Sequence, residues 1–128
     1  MNKKNLRNVL SKFATGVTVV STIDCDGKPI GMTANSFTSV SLDPPLVLWS
    51  IGINQPSYDI FLKAKGYSVS ILSKDQKDIC DLFSSPIENK FSDIDYTLTD
   101  NGFPIIQKSL AWFDCLKWNT TRVVIIKF

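Results

Sequence analysis

At 128 residues, 44% apolar and 20% charged, the chain is long enough for one domain with one core and too short for two. Fourteen basic against twelve acidic residues leave a net charge of +2 with the cations scattered, so no basic stripe points to nucleic acid. No apolar run approaches the ~18–20 residues of a membrane span, and no apolar leader follows Met1 to Arg7, so a membrane role and export are not expected.

Leu6, Val9, Leu10 and Phe13 follow the i, i+3, i+4, i+7 spacing, so residues 3–14 read as an amphipathic helix ending near Gly16 and packed across a sheet or barrel. The β-branched run 17–23, the Gly-centred turn 24–29 and the return at 29–33 read as a β-hairpin.

The stretch 31–45 is different. Asn35, Ser39 and Ser41 alternate one way while Ser36 and Thr38 point the other, so polar groups fall on both faces and a half-buried strand is not expected. Small Gly31 and Ala34 would let a ligand approach the backbone, and the hydroxyls and amide suit an uncharged polar ligand or a phosphate. An ordinary Ser/Thr-rich turn closed by Pro44 and Pro45 fits the same residues.

Residues 46–51 are almost continuously apolar, as in a central strand covered on both faces. After the break at 52–56, Ser57 is placed to cap a short helix burying Ile60 and Phe61. Residues 66–72 alternate with Tyr67, Val69 and Ile71 on one face. Ser73 and Gln76 have capping-box spacing, and Ile79, Cys80 and Phe83 form the buried stripe of a helix ending near Ser84. Residues 85–102 read as a long surface segment with little regular structure. Ile105 and Ile106, the long run 110–118 and Val123 to Ile126 supply the last strands. Strands predominate without a βαβ order, which favours a closed or nearly closed antiparallel barrel with peripheral helices. Three distant cysteines, Cys25, Cys80 and Cys115, and the absence of histidine argue against a metal site and against Cys/His or Ser/His nucleophiles, and fit a reducing cytoplasm.

Six blocks in order carry a resemblance: Phe13 to Val20, Gly31 to Ser41, Pro44 to Val47, Tyr67 to Leu72 with Gln76, Lys90 with Phe91, and Leu110 to Cys115. Together they resemble the short-chain flavin reductases, the FMN-binding reductase components of two-component monooxygenases. The resemblance runs from about residue 3 to 119 and implies a mainly β, Greek-key-like antiparallel split β-barrel with short peripheral helices, a single domain over 1–128. It implies a cytoplasmic homodimer that binds FMN or FAD, is reduced by NADH or NADPH and serves a flavin-dependent monooxygenase partner. Thr33, Ala34, Asn35, Ser36 and Phe37 match the segment lining the isoalloxazine and ribityl chain, followed by Ser39 and Val40. Asn54, Gln55, Pro56 and Ser57 match the loop and helix start that hold the flavin phosphate, where free N–H groups suit an anion. Asn89 and Lys90 match a further phosphate-side contact. No catalytic side chain is expected, because the flavin itself accepts the hydride. Structural roles stand beside these: Ser57 as a cap, Lys90 as a solvated charge, Trp112 and Trp118 as core or dimer-face aromatics, and Phe13 to Gly16 as a turn.

The chain departs from the family after the strand at 110–118, where a Gly-Asp-His motif is expected near the nicotinamide and further strands follow. Codons able to encode Thr120 to Phe128, read two nucleotides later, permit a Gly-Gly-Asp-His sequence. The expectation is a frame shift from about Thr120 and a C-terminally incomplete domain, in which flavin binding outlasts reductase turnover; the coding DNA tests it.

Overall fold

In the computed structural model, which describes residues 2–13 and 15–122, the chain opens with α1 (Lys3–Leu10). The Asn2 side chain caps it by accepting the Asn5 N–H at 2.8 Å. The hairpin follows as β1 (Thr18–Ile23) and β2 (Pro29–Ala34). Its turn is closed by Asp24, whose carboxylate accepts the N–H groups of Asp26 and Lys28, with Gly27 at φ +77°, a left-handed position that glycine adopts freely. A second hairpin, β3 (Thr38–Leu42) and β4 (Pro45–Leu48), leads to α2 (Tyr58–Lys63), β5 (Gly66–Ile71) and α3 (Lys77–Ser84). A short hairpin, β6 (Tyr96–Leu98) and β7 (Pro104–Ile106), precedes β8 (Ala111–Leu116).

The main sheet is antiparallel in the order β2-β1-β5-β8. Its two faces carry separate cores. On one, Val19, Leu72, Phe83, Phe91 and Ile106 pack beneath α3 and β7; on the other, Val20, Ala34, Phe61 and Val69 pack with Phe37, Trp49 and Tyr67. The mainly β, antiparallel architecture with short helices is the expected one.

Five local expectations are corrected. The first helix ends at Leu10, short of Phe13, and its apolar stripe is not packed on the sheet: Val9, Leu10 and, beyond the helix, Phe13 are 58%, 60% and 78% exposed. Residues 38–42 form a strand, and polar side chains on both faces cost little because that hairpin is exposed and lies outside the main sheet. For the same reason 46–51 is no central strand; β4 pairs only with β3, and Trp49 and Ile51 reach the core from beyond its end. The segment 85–102 contains β6 and buries Phe91 and Thr99. Finally, β5 is covered on both faces, because Ser68 and Ser70 on the side opposite Val69 bond the backbone of β7. Ser68 donates to the Pro104 carbonyl and Ser70 accepts the Ile106 N–H at 3.1 Å, so hydroxyls replace apolar contact where one strand crosses another. The capping box is half formed, with Gln76 accepting the Ser73 N–H at 2.9 Å and donating to the Gln107 carbonyl at 2.8 Å. The strand expected at Val123 to Ile126 lies outside the described residues. No helix among the described residues is long and apolar enough to cross a membrane.

Candidate functional site

Gly31 sets the site's position. A Cβ there would lie 2.7 Å from the Phe83 ring and 3.1 Å from Phe91, so glycine is what lets β2 lie directly against α3. Two residues on, Thr33 donates its hydroxyl to the Cys80 carbonyl in α3 at 2.8 Å. Ala34 is buried in the opposite core, pinned by the Thr18 hydroxyl donating to its carbonyl at 2.7 Å. The chain then leaves the sheet, with Asn35 exposed and Phe37 turned back so that its ring lies 5.5 Å from that of Phe113 in β8.

Between them, Ser36 reaches across to Ser50, fourteen residues on. Its Oγ accepts the Ser50 N–H at 3.0 Å and donates to the Ser50 carbonyl at 3.1 Å. That brings the segment 33–37 beside the one leading to Asn54, Gln55, Pro56 and Ser57. Asn54 and Gln55 lie in an exposed turn closed by the Gln55 N–H to the Gly52 carbonyl at 3.0 Å. Ser57 stands at the start of α2 without using its hydroxyl as a cap, and that hydroxyl has no partner among the described residues.

Ser39 and Val40 are carried elsewhere. They sit on the exposed β3, at a bulge where the pairing shifts between Ser39 and Ser41, and Val40 is half exposed. Lys90 lies at the C-terminal end of α3, donating to the Phe83 carbonyl at 3.0 Å, and burial lowers its pKa from 10.5. One ammonium hydrogen is so committed, and the other two have no partner among the described residues. Asn89 occupies a turn at φ +55°, which asparagine tolerates, with its carbonyl accepting the Ser92 N–H at 3.0 Å. The cleft beside it, about 400 Å³, is lined by Asp78, Glu88 and Asp93 as well as Lys90.

Thus Ser36 ties 33–37 to the run that leads to 54–57, Thr33 and Lys90 each donate to a different carbonyl of α3, Asn89 lines a cleft with Lys90, and Ser39 and Val40 stand apart on the exposed hairpin. Two participants carry no mark in the sequence: Ser50, which holds Ser36 through its backbone, and Phe113, which backs Phe37. Only the block 110–115 pointed near the latter.

The flavin reductase like domain model matches residues 10–125. The chain belongs to that family. Flavin reductases similar to it include an FMN reductase (NADH) of Agrobacterium fabrum, 44% identical over 114 residues, which are 89% of this chain and 64% of the relative. The reductase component of a flavin-dependent trigonelline monooxygenase from Acinetobacter baylyi is 42% identical over 112 residues, 88% of this chain and 36% of the relative. The chain therefore spans about a third to two thirds of the length of these curated relatives. Among solved flavin reductases, the NADH:FAD oxidoreductase of Streptomyces globisporus in complex with NAD and FAD fragments superposes with a TM-score of 0.88 and 34% identity, covering 96% of this chain and 74% of that one.

Proposed function

We propose that this domain binds FMN or FAD and passes hydride from NADH or NADPH to it, supplying reduced flavin to a flavin-dependent monooxygenase. The observation that carries the reading is the pairing of segment 33–37 with the run toward 54–57 through Ser36 and Ser50, in a chain of this family. The donor set fits a flavin: neutral amide and hydroxyl groups for the ring and ribityl chain, and a hydroxyl at a helix start beside exposed amides for the phosphate. The bound flavin supplies the hydride-accepting chemistry. Around it, Ala34 and Asn35 line the ring side, Phe37 shields it from water, Asn54, Gln55 and Ser57 hold the phosphate, and Lys90 adds positive charge through its free donors. Thr33 and Asn89 shape the backbone, and Ser39 and Val40 border the site from the exposed hairpin.

A homodimer accounts for the apolar surface of one copy, since Val9 and Leu10 on α1, Phe13 just beyond it, and Val40 and Leu42 on β3 are exposed side chains that a second copy would cover. Three free cysteines accord with a cytoplasmic location.

The test is titration of the purified protein with FMN, followed by flavin fluorescence and absorbance, then NADH under anaerobic conditions. Saturable binding with bleaching of the flavin band is the expected result. One observation favours a second reading, a flavin carrier with little turnover: the sequence has no histidine where the family resemblance places one near the nicotinamide. Binding without bleaching would select it. A folded sample that binds neither FMN nor FAD would refute both.

A further inference from the structure

Ser36 is expected by resemblance to touch the flavin, yet its one hydroxyl proton is already committed. A serine has one proton to donate and two lone pairs to accept with. Here the proton goes to the Ser50 carbonyl at 3.1 Å and one lone pair takes the Ser50 N–H at 3.0 Å. Ser50 lies just past β4, where the ladder with β3 has ended, so both its backbone groups lack strand partners and one side chain satisfies them together.

We propose that Ser36 is a positioning residue, a latch that holds the phosphate-side loop 50–57 against the ring-side segment 33–37, rather than a donor to the flavin. The two anchors on either side make the latch effective. Phe37, next in the chain, is fixed by Phe113 at 5.5 Å; Trp49, preceding Ser50, is held edge-on to Phe61 at 5.0 Å and to Tyr67 at 5.5 Å. Between Ser50 and α2 the described chain has only the Gly52 to Gln55 and Gln55 to Tyr58 turn bonds, which are internal to the loop. They shape the loop without fixing where it stands relative to β2. Ile51 and Phe61 seat the two ends of the loop in the core that also holds Ala34 of β2, and the Ser36 bonds add the polar tie between the loop and the segment after β2.

The inference rests on the flavin reading and predicts a split that direct contact would not give. A donor to the ring or ribityl chain serves riboflavin and FMN alike, whereas a latch on the phosphate loop serves only the ligand that has a phosphate. In Ser36→Ala, FMN affinity should fall about tenfold, the scale of two partly exposed hydrogen bonds, while riboflavin affinity changes less than about twofold. Ser36→Thr, which keeps the hydroxyl, should restore the FMN preference. In flavin-free protein, amide exchange over residues 50–57 should speed up in Ser36→Ala and return toward wild type in Ser36→Thr. Equal losses for riboflavin and FMN would overturn the latch in favour of direct contact, and unchanged exchange over 50–57 would overturn it whatever the ligand data show. If wild type binds neither flavin, the functional reading fails while the exchange result still decides whether Ser36 holds the loop.

Discussion

Gly66→Ala should lift β8 from the end of the sheet. Gly66 pairs with Leu116, and an added Cβ would fall 2.2 Å from the Cys115 carbonyl oxygen and 2.9 Å from the Phe103 ring. Ordinary contact begins at 3.4 Å, so the carbonyl must retreat by about 1.2 Å. A flexible side-chain end could swing aside, but a carbonyl in a strand carries its ladder with it. Overpacking of this kind costs about 1–3 kcal/mol, and disturbing the bond from the Thr22 hydroxyl to the Gly66 carbonyl adds about 1 kcal/mol. A loss of about 2–4 kcal/mol is a large part of the ~5–15 kcal/mol a small domain commands. Gly52→Ala is the control, because its nearest neighbour would be Gln55 Cγ at 3.9 Å and no positive φ is required. Urea unfolding followed by tryptophan fluorescence should show a clearly lower midpoint for Gly66→Ala and a midpoint near wild type for Gly52→Ala, with similar slopes. Coincident midpoints for the two variants would refute the steric argument. Because β8 carries Phe113 against Phe37, flavin affinity should drop in Gly66→Ala as well.

Phe83→Ala should cost about 3–5 kcal/mol, since the ring is 1% exposed and packs edge-on to Phe91 at 4.9 Å; thermal unfolding measures it. Gly31→Ala clashes with that same ring, so the double variant should be less destabilised than the sum of the singles, and strict additivity would deny the contact. Tyr67→Phe removes the hydroxyl bond to the Phe61 carbonyl at 3.0 Å and should cost about 1 kcal/mol near neutrality. Burial raises the Tyr67 pKa above 10.0, so the folded state keeps the proton longer than the unfolded one. The contribution is present below the unfolded pKa and disappears as pH rises through the folded one, so the deficit of Tyr67→Phe should shrink in alkali; a deficit that grows would contradict this. Lys90→Met should weaken FMN binding and leave riboflavin binding nearly unchanged, and equal effects on both ligands would confine Lys90 to the end of α3.

The sequence made the elements legible wherever local chemistry sets them. The β-branched run of β1, the Asp24 turn and the stripe of α3 depend on near neighbours, and each formed as expected. What remained hidden depends on which surfaces meet. The stripe on α1 has the same periodicity as a buried helix, and periodicity does not say whether the partner lies in the same chain. The apolar run at 46–51 likewise looked central, but it ends an outlying hairpin and contributes its aromatics from beyond the strand.

What the motif hides at the site is more specific. A motif shows that a hydroxyl or ammonium is present, not whether its protons are free. Thr33, Ser36 and Lys90 all match expected flavin contacts, and each also donates to a protein carbonyl, those of Cys80, Ser50 and Phe83. Their targets lie 47, 14 and 7 residues away along the chain, so each bond ties the cradle to a different part of the fold. A cradle fastened this way is ordered before any ligand arrives, and binding then spends less free energy on arranging its loops. Its cost is that fewer side-chain donors are left for the flavin. On the proposed reading, recognition leans on backbone N–H groups, on the remaining Lys90 donors and on four side chains, Asn35, Asn54, Gln55 and Ser57. Single substitutions among those four should weaken binding modestly and independently, whereas cutting a tie such as Ser36 should disable one end of the ligand at once.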